Sequence, residues 1–306
     1  MQPAQCTLMR RLKKQSLQKR MVLLAWVFVL PVLVVRIFTT VYPVLEVFWY
    51  SLLDYDLINR TKEFQGLANF QKIYSDVTVQ QGLGFTLEYT FLSVFLIVVL
   101  GTGLALLMKC EFRGRKLIRT TALLPWGMPM IIVCMAGRWM FNDTYSIIND
   151  MIRRVFDPGF HYSWLAETNG AKAAAIILNV WKNTPFFGIM MLAAFQGIPD
   201  ELYEAARIDG ASGPRVLFSI MLPYVMKTMV MTIIFVGVAQ INSFDIAYAM
   251  TRGGPGSSTS LIAYRLYLVA TKNMDYGYAS ALSVVMFLFT ACFGAVGFYV
   301  HNKIDY

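Results

Sequence analysis

Long apolar runs separated by short polar connections set the first expectation for this chain. Six segments hold the roughly 20 residues that a helix needs to cross the apolar core of a bilayer. They are about 21–50, 88–108, 120–141, 172–196, 223–250 and 278–300. The first is long and contains Pro31, Arg36 and Pro43, which predict a tilted, kinked helix whose WYSLLD end emerges from the lipid. Residues 51–87, with the aromatic and amide side chains of GLANFQKIY, predict a short external helix and loop. No repeat, low-complexity tract or sizeable soluble domain interrupts the pattern. The expected organisation is a basic segment, 1–20, followed by one membrane domain, 21–306, and the fold class is all-α integral membrane.

Composition agrees. Of the 306 residues 57% are hydrophobic and only 15% charged, where soluble domains carry about a quarter charged residues; the mean hydropathy is +0.53. The net charge of +9 does not point to nucleic acid, because its one dense block, Arg10, Arg11, Lys13, Lys14, Lys19 and Arg20, directly precedes an apolar run. Such blocks flank membrane helices on the cytoplasmic side. No small-residue cleavage site follows, so this run is expected to be a retained first helix rather than a signal peptide. Stretches 1–20, 109–119, 197–222 and 301–306 hold 14 Lys and Arg in 63 residues, against 8 in 93 for 51–87, 142–170 and 251–277. The positive-inside rule then places both termini and 197–222 in the cytoplasm. Cys6, Cys110, Cys134 and Cys292 are isolated, with no CxxC pair or nearby histidine. Neither they nor His161 and His301 suggest a metal or catalytic site.

Residues 197–222 form a polar island in this apolar chain. Pro199, Asp200 and Glu201 open a helix, with proline expected at its first position and acids where the helix dipole favours them. Leu202, Ala205, Ala206 and Asp209 share one face, and Gly210 supplies the stop. Gly213-Pro214 starts a second short helix leading into the fifth apolar run. Four acids against two arginines give the island a charge of −2, which disfavours lipid headgroups or DNA as its target.

The spacing of Glu204-Ala205-Ala206, Gly210, Ile220 and Leu222-Pro223 resembles the EAA motif of binding-protein-dependent ABC importer permeases. The resemblance extends over nearly the whole chain and is closest to the sugar-importer branch that includes maltose and glycerol-3-phosphate permeases. IPDELYEAARIDGAS, VWKNTPF (180–186), FDIAYAMTRGGPGSST (244–259), RTTALLPWGMP (119–129), FNDTYSIIN (141–149) and GYASALS (277–283) carry it. EYT at 88–90 departs from the Asn-Thr pair common at the second span. The resemblance implies a six-helix permease core with a cytoplasmic coupling helix, in the cytoplasmic (inner) membrane of a bacterium or archaeon. It also implies a second homologous permease, two copies of an ABC ATPase and an extracytoplasmic solute-binding protein. Glu204, Ala205, Ala206 and Gly210 become the element that docks on the ATPase. No G-x-x-x-x-G-K-[ST] occurs, and GGPGSST lacks the phosphate-binding lysine. ATP and Mg are therefore expected on the partner ATPase, with no cofactor on this chain, which is not expected to be an enzyme.

Asn179, Lys182, Asn183 and Phe186 share one helical face, and Gln240 and Ser243 lie on the fifth run. Polar residues at such depth either bridge helices or line a pathway. The resemblance assigns Asn179, Asn183, Phe186, Gln240 and Ser243 to a sugar path, with amides and hydroxyls reading sugar hydroxyls and the aromatic face stacking on the ring. Lys182 and Ala239 stand where the maltose pattern has an apolar and an aromatic residue; Lys182 suits an acidic solute or snorkels to the interface. Asp245 reads as a structural acid, and Arg36 and Arg138 as interface anchors. Ion-coupled transport would need acids deep in the membrane, but Glu46, Glu88 and Asp245 lie near span ends. A lipid-modifying enzyme would need a His, Asp or Glu cluster at one membrane face, which is absent from the sequence.

Overall fold

The computed structural model describes the backbone of residues 3–304 and the side chains of residues 19–304. The basic side chains of Arg10, Arg11, Lys13 and Lys14 and the thiol of Cys6 lie outside the described residues. The chain runs through α1 (Pro3–Arg36), a π-turn at Ile37–Val41, α2 (Tyr42–Tyr50), a hairpin of β1 (Leu53–Asp56) and β2 (Thr61–Phe64), and α3 (Ala68–Ser75). It continues with α4 (Val77–Lys109), α5 (Arg115–Ala122), α6 (Leu124–Gly127), α7 (Met130–Met140), α8 (Ile147–Val155) and α9 (Thr168–Gln196). It closes with α10 (Asp200–Ile208), α11 (Gly213–Val216), a second π-turn at Leu217–Met221, α12 (Leu222–Ile241), a third at Ile246–Thr251, α13 (Ile262–Thr271) and α14 (Tyr276–Lys303).

Among the described residues, five helical stretches are long and apolar enough to cross a membrane: Lys19–Tyr50, Val77–Lys109, Thr168–Gln196, Gly213–Thr251 and Tyr276–Lys303. The third expected span is not one rod. Arg115–Gly127 and Met130–Met140 meet at 93°. The cause is local: Pro129 deprives the helix of an N–H and forces Met128 before it into extended backbone, ψ 140°. The second span begins at Val77 rather than near 88, and the fifth unwinds at Ser243 and Phe244 before resuming as a π-turn. Outside the spans, 51–76 carries a hairpin as well as the expected short helix. Its four-residue loop is held by Asp56, which accepts from the Ile58 and Asn59 amides at 2.7 and 3.0 Å.

The core is built on α4 against α9, the most extensive helix pair. In lipid no hydrophobic drive pushes helices together, so close packing over small residues must do it. Gly101 on α4 and Gly188 on α9 provide the approach: a Cβ on Gly188 would lie 3.2 Å from the Gly101 carbonyl oxygen, and one on Gly101 would lie 2.7 Å from the Phe187 ring. Phe85, Tyr89, Ile97, Met108, Phe187, Met191 and Phe195 pack along this seam and are almost wholly buried. The first helix stands away from this core, with residues 19–45 exposed throughout.

A smaller cluster around Ile73, Val79, Ile262, Val269, Tyr278 and Leu282 joins α3, α4, α13 and α14. Asp76 clips it together by capping α4 through the Thr78 and Val79 amides. Its second oxygen accepts from the Tyr278 hydroxyl at 2.9 Å and faces Arg265 at 3.6 Å. Burial pushes the Asp76 carboxyl up, but the hydrogen bonds from Thr78, Tyr278 and Val79 and the charge of Arg265 outweigh it and hold it below the usual range.

Two outcomes follow. Gly188→Leu should overpack the α4–α9 seam and cost about 1–3 kcal/mol, while Gly103→Ala, with nothing within 4 Å of the new Cβ, should be neutral; thermal unfolding in detergent compares them. Because its carboxyl is depressed in the fold, Asp76 stabilises above about pH 4, the ordinary Asp value, and that stability is lost as pH falls through the lower folded value. Asp76→Asn should therefore flatten this part of the acid limb in melting temperature against pH.

Candidate functional site

Two places combine exposed or membrane-depth polar groups with a defined local geometry: the α10 elbow and the polar row on α9 opposite the broken end of the fifth helix. In the elbow, Pro199 sits just before α10 rather than at its first position, leaving Asp200 and Glu201 in the first turn. Gly210 adopts φ +66°, a left-handed conformation that glycine takes without the strain of a Cβ. The Ala211 amide then reaches the Ala206 carbonyl at 2.9 Å and the Gly210 amide reaches that of Arg207 at 3.1 Å. Those two bonds close a Schellman cap, satisfying carbonyls that a helix end leaves free.

The faces of α10 are unequal. Ala206 is buried and seats the helix, and Tyr203 packs against the main core. The ammonium of Lys109, on the last turn of α4, donates to the Tyr203 hydroxyl and lies 3.9 Å from its ring centroid. Glu204, Ala205 and Gly210 are exposed, and Ile208 is 86% exposed. The EAA spacing singles out Glu204, Ala205, Ala206 and Gly210, and the structure adds Ile208 to them. Its signal is an isoleucine one turn after Glu204, set between the charged Arg207 and Asp209. Lys109 and Tyr203 lie far apart in sequence, and no local pattern pairs them.

The polar row of α9 is knitted together. Asn179 is buried and donates to the Gln240 side-chain oxygen on α12 at 2.7 Å; Asn183 donates to the Asn179 side-chain oxygen at 2.8 Å. This ladder crosses from α9 to α12 and occupies polar groups of all three amides. Ser243 lies where the fifth helix unwinds, 3.4 Å from the hydroxyl of the fully buried Tyr89. Non-helical backbone at membrane depth is tolerated only in a protein interior or along an aqueous cavity. Phe186 is the middle of an aromatic stack: its ring centroid is 5.5 Å from Trp126 on α6 and 5.5 Å from Phe235 on α12. Lys182, one turn before Phe186, donates to the Trp126 carbonyl at 3.3 Å.

Trp126, Phe235 and Tyr89 are additions to the residues expected from sequence. Phe235 lies one helical turn before Ala239, and both are exposed, so an aromatic ring is present near the position where alanine was noted. Trp126 stands on α6, just before the bend at Met128 and Pro129. The opposite face of α9, with Ile177, Val180, Trp181 and Thr184, lines a separate apolar groove of about 570 Å³ against α4 and α5. Among the described residues no group of three His, Cys, Asp or Glu side chains is placed to hold a metal ion.

Residues 77–306 match the family of binding-protein-dependent transport system inner membrane components. A sulfoquinovosyl glycerol transport system permease of Agrobacterium fabrum is 34% identical, over 90% of this chain and 89% of that protein. A trehalose/maltose transport system permease of Thermococcus litoralis is also 34% identical, over 92% of this chain and 94% of its own length. In fold, the chain is similar to a bacterial ABC transporter involved in import of the acidic polysaccharide alginate, with a TM-score of 0.80 at 19% identity, covering 97% of this chain and all of that one.

The ladder and the cap each generate a test. Asn179→Leu should lower stability by about 1–3 kcal/mol, the cost of leaving a buried acceptor unpaired, and adding Gln240→Met should recover part of it; thermal unfolding of the four proteins closes the cycle. Gly210→Val should strain the left-handed turn by roughly 1–2 kcal/mol, seen as faster hydrogen exchange at the Ala211 amide.

Proposed function

This chain belongs to the family of binding-protein-dependent transport system inner membrane components, and on that premise we propose that it is one permease subunit of an ATP-driven importer of a sugar or sugar derivative. Two relatives that it matches over nine tenths of its length carry sugar transport in their names. In this reading it pairs with a second, homologous permease in the inner membrane. Two copies of an ABC ATPase bind below, and an external binding protein delivers the solute above. The Lys and Arg bias supports cytoplasmic termini and a cytoplasmic α10. ATP and Mg sit on the ATPase; this chain's residues bind, orient and transmit.

The observation that carries this reading is the form of α10: a short, firmly capped helix, seated by Ala206 and clasped by Lys109, that exposes Glu204, Ala205 and Ile208. The Lys109 to Tyr203 contact is the tie through which movement of α10 is passed to α4 in this reading. Ile208 supplies an apolar knob for a cleft in the ATPase, and Glu204 a charge for a basic group beside it. Movement of the ATPase on binding and hydrolysing ATP then reaches α4 and α9 and alternates access to the path between the two permeases.

In the path, the amide ladder of Asn179, Asn183 and Gln240 fixes α9 to α12. Phe186 and Ser243, with the added Trp126 and Phe235, are the groups this reading places along the solute's route. Trp126 and Phe235, exposed at the two ends of the stack on Phe186, offer the broad apolar faces that sugar rings stack on.

The test is ATP hydrolysis by the purified complete complex in nanodiscs, with liganded binding protein added. Ile208→Asp is expected to weaken ATPase assembly about 30-fold, the loss of about 2 kcal/mol typical of a buried hot spot. Glu204→Lys is expected to keep the ATPase bound but abolish stimulation by the binding protein. Unchanged assembly and stimulation in both variants would contradict the coupling role of α10.

A further inference from the structure

The apolar groove between α4, α5 and α9 has no part in the sugar-importer reading. Leu96, Leu100 and Leu104 of α4 form one wall, Ile118 and Ala122 of α5 a second, and Trp181 of α9 a third. Leu100 and Trp181 keep 51% and 50% of their surface exposed, so the groove is open to whatever surrounds the helices. Two threonines also line it, and both donate within their own helices: Thr121 to the Leu117 carbonyl at 2.9 Å and Thr184 to the Val180 carbonyl at 2.7 Å. Their hydroxyls are not left to read a polar solute. What the groove offers is an aliphatic and aromatic surface.

Its depth is that of one leaflet. At 1.5 Å per residue, the stretch from Leu104 to Leu96 is about 12 Å long and starts about 8 Å from the Lys109 end of α4. The apolar half-thickness of a bilayer is about 15 Å. With Lys109 on the cytoplasmic side, the groove runs beside the acyl chains of the inner leaflet.

A block of positive charge stands at the near end of the groove. Residues 109–119 hold Lys109, Arg113, Arg115, Lys116 and Arg119 against the single acid Glu111, a formal charge of +4. Gly114, at φ +95°, turns the chain from α4 into α5, and Arg119 fastens the turn by donating to the Met108 carbonyl at 2.7 Å. Lys109 is engaged with Tyr203. The other three cations are less committed. Arg115 faces Glu111 at 4.0 Å, and among the described residues Arg113 and Lys116 have no ion-pair partner. Arg115 and Lys116 border a notch of about 370 Å³ with Glu111, Phe112 and Gly114. Ile118 follows Arg115 by three residues on the same helix, which puts the notch and the groove one turn apart. The α10 elbow, which the importer reading gives to the ATPase, has the opposite sign, −2.

We propose that the notch and the groove together hold one anionic phospholipid of the inner leaflet. Arg113, Arg115 and Lys116 take its headgroup, and one acyl chain lies against Leu100 and Trp181. Basic side chains beside a membrane attract anionic headgroups, and the apolar groove receives the chain that such a headgroup carries. A neutral lipid would fill the groove but leave the three cations to water, so the preference lies in the headgroup. The inference needs the membrane orientation proposed above and is independent of which solute is carried.

The experiment places the complete importer in phosphatidylcholine nanodiscs and titrates in phosphatidylglycerol or phosphatidylcholine bearing the same dibrominated acyl chains. The readout is the fluorescence quenching that is lost in Trp181→Phe, which isolates that residue among the chain's six tryptophans. Phosphatidylglycerol is expected to quench Trp181 at a mole fraction at least about fivefold lower than phosphatidylcholine. The triple variant Arg113→Gln, Arg115→Gln, Lys116→Gln should erase that preference while leaving quenching by phosphatidylcholine. Ala122→Phe, which narrows the groove, should reduce quenching by both lipids. Native mass spectrometry gives the second readout, with phosphatidylglycerol retained by wild type and lost in the triple variant.

Equal quenching by the two lipids in wild type means annular lipid only and overturns the inference. No quenching by either overturns it too, and is the result expected if an apolar helix of a partner permease covers the groove. A preference for phosphatidylglycerol that survives the triple substitution puts the headgroup elsewhere and also overturns it. None of these outcomes bears on the sugar-importer reading, which stands or falls on ATP-driven uptake.

Discussion

The close approach of α4 and α9 at Gly101 and Gly188 is the contact on which the rest of the molecule depends. In water a large apolar side chain at either position would find a way to be buried; in lipid, where the surroundings are already apolar, only intimate packing favours one helix against another. The two glycines let Phe187 and the aliphatic residues of α4 interlock along the seam. Once α9 is fixed by that side, its remaining faces are assigned. One looks into an apolar groove with α5, and the other carries Asn179, Lys182, Asn183 and Phe186.

That seam also joins the two candidate sites. Its cytoplasmic-side end in the proposed orientation is Lys109, which holds Tyr203 and thereby α10. Further along, Asn179 reaches across to Gln240 and ties the fifth helix to the same pair. The Lys109 to Tyr203 contact thus links α10 to α4, and α4 packs against the α9 that carries the polar row. The fifth helix answers differently at its two ends. It is continuous from the α11 turn through Ile241, but at Ser243 and Phe244 it opens, and there the polar and charged groups gather. Regular backbone transmits; interrupted backbone is where a pathway acquires hydrogen-bonding groups.

Much of this was legible in the residues. Apolar runs of membrane length mark helices because the bilayer leaves the backbone few other ways to satisfy its polar groups, and the EAA spacing marked the family. The stop at Gly210 was legible too, since the left-handed turn that ends α10 strongly favours glycine. Other features were not. Hydropathy records that 120–141 is apolar, not that it turns through 93° at Met128 and Pro129. LDYD and TKEF are too short and polar to announce a hairpin. The amides of Asn179 and Gln240 could be recognised as deep polar groups, but that they bond to one another is a tertiary fact with no trace in helical periodicity. The same holds for the stacking of Trp126 on Phe186, which joins α6 to α9 across 60 residues of sequence.

The central claim is that this chain converts work done by an ATPase into movement of a sugar delivered by an external binding protein. Its most direct test is accumulation of labelled sugar in proteoliposomes of the complete complex, with ion gradients collapsed and ATP supplied only on the ATPase side. Concentrative uptake that requires both ATP and the binding protein is the predicted result. Uptake that proceeds without ATP and follows an imposed ion gradient would contradict the account.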